Sequence, residues 1–167
     1  EVVIDQASDH VASLRLLSLI CSTFQPRARY HLFSSIRIRS VEQMHSAPEF
    51  LDAHPWLPPL VQKVSLSPGP LSGDHWYRGV QNVPLLDVAP VHILSRLQNL
   101  RTWKLELVGS PLTTGGPWLS FHRSALSCYR RYGNHIQNLE LSCLPLDDVS
   151  DLTGLVSAFT GIQSVTC

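Results

Sequence analysis

The chain has 167 residues, 44% of them apolar and 16% charged, with 13 Lys and Arg against 13 Asp and Glu. That is room for one domain of ordinary globular composition, with enough bulk to bury a core. Zero net charge gives the molecule no steering toward nucleic acid or anionic lipid, and no window approaches the ~20 consecutive apolar residues of a membrane span, so neither partner is expected.

The opening, EVVIDQ (1–6), reads as a short helix. A break at ASDH follows, with Ser8 or Asp9 as the N-cap of the next helix. That second helix is predicted from about Val11 to Thr23 and is greasy on most of its circumference. At about 100° per residue, Leu14, Leu16, Leu17, Leu19, Ile20, Cys21 and Phe24 cover an arc of about 220°. A helix on a single core needs little more than about 100°. This one wants apolar contact on two sides, its own domain and a partner. Pro26 suits the first turn of a third helix, which places Tyr30 and Phe33 on one side and Arg27 and His31 on another. SSIRIRS then alternates with period two and reads as a strand, Ile36 and Ile38 inward, Arg37 and Arg39 outward.

After Val41 a helix is expected over VEQMHSAPEFLDAHP, burying Met44, Phe50 and Leu51, with Pro48 near a kink or an end. LVQKVSLSPG reads as a strand, and PLSGDHWYRGVQNVP as a long loop. A pattern then recurs: LQNLRTWKLELVG, HIQNLELSCLPL and FTGIQSVTC each enter an apolar-polar-apolar strand, as LPPLVQKVSLS does earlier. Matching Leu66, Leu105, Leu141 and Val165 gives steps of 39, 36 and 24 residues. The intervals hold helix candidates in VAPVHILSRLQ, WLSFHRSALSCYRRYG and DDVSDLTGLVSAFTG. Strand, turn and helix repeated at about 20 to 40 residues predict an α/β fold, an irregular leucine-rich-repeat-like solenoid with a parallel sheet. An ordinary α/β domain whose strands start with Leu is the competing reading.

Charge divides along the chain. Five arginines and no acid lie between His10 and Val41, and four acids and no Lys or Arg between Gln137 and Cys167. Two differently solvated faces account for this. Cys21, Cys128, Cys143 and Cys167 are widely spaced and read as reduced, mostly buried thiols. With no secretory leader in EVVIDQASDH, a cytoplasmic or nuclear location is expected. Both ends read as cut, the first inside a helix-like run and the last inside a strand.

The front segment, EVVIDQASDHVASLRLLSLICSTFQPRARYHLFSSIRI, resembles the F-box of large fungal families, followed here by an irregular leucine-rich-like region. Ile4-Asp5 matches the end of the motif's first helix and Leu14 its isolated Leu. LSLICSTF supplies Leu17, Leu19, Ile20, Cys21 and Phe24, and RYHLFSSIRI supplies Arg29, Leu32, Phe33, Ile36 and Ile38. Glu1 stands where the Glu of the leading Leu-Pro-x-Glu falls, and the Leu-Pro pair is not in the sequence. The resemblance implies a helical F-box-like segment over 1–40 and a repeat region over 41–167. It implies docking on the Skp-type adaptor of a cullin–RING ubiquitin ligase through Ile4, Leu14, Leu16, Leu17, Leu19, Ile20, Cys21 and Phe24. The repeats would then hold an unknown protein target, with Trp76, Tyr77 and Arg78 of the long loop contributing, since aromatic and Arg side chains are enriched at binding hot spots. A repeat-type interaction scaffold unconnected with ubiquitin ligation is the alternative.

Competing chemistry is thin. Cys128, His135 and Cys143 are poorly spaced for zinc. Gly115-Gly116 lacks the Lys-Ser/Thr of a phosphate loop. Ser72 to Trp76 holds Ser, Asp and His in sequence, whereas a triad needs spatial convergence. Asp147, Asp148 and Asp151 suit a helix start. The basic strand with Arg37 and Arg39 reads as a solvated edge. No enzymatic activity, metal or cofactor is expected.

Overall fold

The computed structural model describes residues 2–8, 10–67, 83–106, 121–143 and 149–167. Three helices come first: α1 (Val2–Gln6), α2 (Val11–Ile20) and α3 (Gln25–Phe33). Five strands follow, β1 (Ser35–Ile38), β2 (Lys63–Leu66), β3 (Thr102–Glu106), β4 (Asn138–Ser142) and β5 (Ser164–Thr166), separated in turn by α4 (Val41–Ala53), α5 (Val83–Ile93), α6 (Arg123–Tyr132) and α7 (Val149–Ala158). The strands form one sheet, all parallel and in chain order. The helices pack in the same order, α4 on α5, α5 on α6 and α6 on α7. The molecule is therefore an α/β protein built from strand–helix units laid side by side.

Register explains the apolar spacing. One row across the sheet is Ile36, Val64, Trp103, Leu139 and Val165; the next is Ile38, Leu66, Leu105 and Leu141. From Val64 to Leu139 the first row is fully buried, and β3 and β4 alternate buried and half-buried residues as period two requires. Val165 thus pairs with Leu139, 26 residues earlier, rather than with Leu141 as the spacing suggested. Helix side chains complete the core. Tyr129 of α6 meets Trp103 edge to face at 5.8 Å and lies 4.5 Å from Phe159, ring centre to ring centre. Burial pushes the Tyr129 hydroxyl far above its ordinary pKa.

The opposite sheet face is polar. Lys63 reaches Glu140 at 2.7 Å, and Lys104 and Arg37 both approach Glu106, at 3.4 and 4.0 Å. These part-exposed pairs contribute little stability. They keep the face soluble and self-neutralised.

One hydrogen-bond device recurs at the entries of β2, β3, β4 and β5. The amides of Gln62 and Lys63 both donate to the Ser34 carbonyl. Those of Arg101 and Thr102 donate to Gln62, those of Gln137 and Asn138 to Arg101, and those of Gln163 and Ser164 to Gln137, all within 2.8–3.0 Å. The residue just before each pair is apolar (Val61, Leu100, Ile136, Ile162), and all but Ile162 are fully buried. Four successive entries are superposable in bonding pattern, which makes the repeat a property of the backbone as well as of the side chains.

Local chemistry starts and stops the helices. Ser40 caps α4 by accepting from the Gln43 amide, while the Gln43 side chain accepts from the Arg39 amide, a close relative of the capping box. Pro48 lies inside α4, which runs on to Ala53. Phe50, expected in the core, is 51% exposed, because it lies at the outer side of α4, the end of the helix row, whereas Met44 and Leu51 of the same helix are buried. β4 stops at Ser142, and Cys143 follows with a φ of 55°, a left-handed conformation outside the strand that its neighbours suggested. All four cysteines are free thiols: Cys143 and Cys167 are exposed and Cys21 and Cys128 half-buried, where buried thiols were expected. Among the described residues no helix is long and apolar enough to cross a membrane.

Gly161 precedes β5 where two units touch. A Cβ there would stand 1.9 Å from the Asn134 carbonyl oxygen, a backbone atom with no room to yield. Gly161→Ala should cost about 1–3 kcal/mol by overpacking, measured as a lower urea midpoint, with faster amide exchange at Gln163 and Ser164.

Candidate partner-docking site

The first three helices close a small core of their own. Ile4, Leu14 and Ala28 are buried together, with Ala7, Leu17 and Leu32 packed against them. This cluster is separate from the one between sheet and helices. The adjacent residues Leu32 and Phe33 serve the two clusters separately, so α3 is the shared wall. A single residue, Ser34, separates α3 from β1. Gln62 donates to the Tyr30 hydroxyl at 2.9 Å, and the Arg29 guanidinium sits over the Trp56 ring. The helical hook is thereby fastened to the first unit of the sheet. β1, which sequence reading grouped with the front segment, pairs with β2 along its whole length.

Within the hook, Asp5 of α1 is held by α3. Arg27 donates to both carboxylate oxygens, at 2.7 and 3.1 Å, and His31 Nε2 lies 2.7 Å from Oδ1. The hydrogen bonds from Arg27, then from His31, lower the Asp5 pKa from 3.8 to about 2. Sequence reading placed Arg27 and His31 on one side of their helix. The partner that makes that side matter is Asp5, twenty-two residues before Arg27.

α2 resolves into two apolar faces. Leu14 and Leu17 fall within about 60° of one another, and Leu16, Leu19 and Ile20 within about 100° on the other side, while α2 stops at Ile20, short of the expected Thr23, and Cys21 follows in an extended conformation. Leu14 is 1% exposed, whereas Leu16, Leu19 and Ile20 are 63%, 82% and 72% exposed. A large aliphatic side chain gains about 1.5–3 kcal/mol on leaving water, and three at i, i+3 and i+4 form a continuous ridge. Phe24, beyond the end of α2, is 37% exposed, and Val2 and Val11 are also open. The eight residues expected to meet an adaptor therefore divide. Leu16, Leu19, Ile20 and Phe24 face solvent. Ile4 and Leu14 are enclosed and Leu17 packs against them in the hook's core, while Cys21 is half-buried. The Thr23 hydroxyl and amide, with the Phe24 amide, hold the Cys21 thiol below its ordinary pKa.

The other proposed binding residues, Trp76, Tyr77 and Arg78, lie outside the described residues, as do Ser72 to Trp76, Gly115-Gly116, Asp147 and Asp148. Asp151 lies in the first turn of α7. His135 Nε2 donates to the Leu97 carbonyl at 3.0 Å, a bond between units. Among the described residues no group of three His, Cys, Asp or Glu is placed to hold a metal ion.

The Asp5 clasp gives the hook an acid-sensitive latch. A carboxylate whose folded pKa lies below its unfolded value stabilises fully above the unfolded value and is lost as pH falls through the folded one. The contribution should therefore fade between pH 3.8 and about 2. Exchange of α1 amides should accelerate across that window in the parent chain, while in Asp5→Asn it should be fast already at neutral pH and show no such step. Comparison of the chain with protein-family models, curated proteins and solved structures finds no match.

Proposed function

We propose that the protein is a substrate-receptor subunit of a cullin–RING ubiquitin ligase. The hook is an F-box-like module that docks a Skp-type adaptor, and the strand–helix units are a leucine-rich-type solenoid that holds a protein target. The observation that carries this reading is the second apolar face of α2: Leu16, Leu19 and Ile20 form a ridge that the protein's own fold leaves in water. The ordered match of the first forty residues to the F-box pattern supports it, as does the separate core that lets these helices act as a module. The repeated strand entries support the solenoid. The receptor performs no bond chemistry; it raises the effective concentration of target lysines near the charged enzyme.

A second reading is a repeat-type scaffold whose hook serves as an end cap. The continuity of α3 with β1 and the Tyr30–Gln62 bond favour it, since an end cap needs such attachment.

The two readings separate on substitution. Leu19→Asp and Ile20→Asp change exposed residues and should move stability by no more than about 0.5 kcal/mol. On the first reading each weakens binding of a Skp-type adaptor at least about thirtyfold, the loss of one anchor side chain of ~2 kcal/mol. Calorimetric titration of adaptor into the chain, extended by Leu-Pro-x before Glu1, measures this. No binding, or binding indifferent to both substitutions, removes the ligase reading. Leu14→Asp is the contrast: it should unfold the hook.

A further inference from the structure

The helix row ends at α4, and packing there is incomplete. A cavity of about 110 Å³, partly open to solvent, lies among the end of α3, β1, α4 and β2. Phe33, Ile36, Ala47, Leu57 and Val64 contribute to its walls, and Phe50 both lines it and reaches solvent. Among the described residues every lining side chain is apolar.

Water entering such a space finds no polar partner on the described walls, and it needs two to four. The side chains around it have no dispersion partners on their open side. An apolar cavity of about 150 Å³ lined by Leu, Ile and Phe stays dry and takes up benzene; this one is roughly three-quarters of that size. Its aromatic walls are also held in place beforehand. Phe33 packs edge to face on Trp56 and Trp56 edge to face on His54, while His54 lies tilted by 36° against Phe50, with ring centres 5.2, 6.2 and 4.5 Å apart. A ligand would therefore find the walls largely pre-ordered.

We propose that this cavity is a binding site for one small uncharged apolar molecule of about six carbon atoms, held by shape and dispersion alone. It discriminates against polar analogues because a hydroxyl inside it finds no partner.

Titration of the full chain with benzene, followed by carbon-13 methyl NMR, tests this. Shifts should concentrate at Ile36, Leu51, Leu57 and Val64, and the thermal midpoint should rise with benzene concentration. Ala47→Leu places three more carbons in the void and should abolish the shifts while the fold persists. Absence of shifts at saturating benzene, or shifts retained by folded Ala47→Leu, overturns the proposal. Phenol keeps the test on the unaltered chain should Ala47→Leu fail to fold. It must bind at least about tenfold more weakly than benzene, and equal affinity overturns the proposal.

Discussion

The sheet is held by an interdependence between neighbours. A strand of three to five residues has too few backbone bonds and too little apolar surface to persist alone. Here each strand gains both from the strand beside it. Its entry amides close on a carbonyl of the preceding unit, and its apolar side chains continue a row that the preceding unit began. The shared carbonyl also sets register. Once Arg101 and Thr102 bind the Gln62 oxygen, Trp103 must stand beside Val64 and Leu105 beside Leu66. A slip of one residue would turn Trp103 to the polar face.

The same logic shapes the junction with the hook. Leu32 and Phe33 are consecutive, yet they belong to different cores, so α3 cannot rotate without disturbing both. Tyr30 and Arg29 add contacts to Gln62 and Trp56. The exposed ridge of α2 consequently has a fixed orientation relative to the sheet. A partner bound on that ridge and another bound on the units would be held at a set distance by packed side chains rather than by a tether.

Much of this was legible in the residues. Period two across Trp103 to Leu105 and Leu139 to Leu141 announced two strands, and the apolar step into each announced the repeat. The hook's helices followed from Pro26 and the run before it. What escaped reading depended on neighbours. Val165 looked equivalent to Leu141 because Leu, Ile and Val recur often enough to align in more than one way; the Gln137 carbonyl settles the matter in three dimensions. Phe50 looked buried because α4 has an apolar stripe, and a stripe does not tell whether a helix has company on both sides. The broad arc of α2 was visible as an arc, but its division into an enclosed face and an open one required the positions of α1 and α3. Asp5 was visible as half of a motif pair, and its clasp with Arg27 and His31 required the helices to be folded back on each other.

The direction of the shared-carbonyl device matters for synthesis. In every instance the acceptor comes earlier in the chain and the donors later. As the polypeptide leaves the ribosome, the oxygen that a new strand requires is already outside and in place. The sheet can thus extend strand by strand in the order of translation, each new strand closing on an oxygen already made. At about 5–20 residues per second, the growing edge would stand open for only seconds before the next strand arrives to cover it.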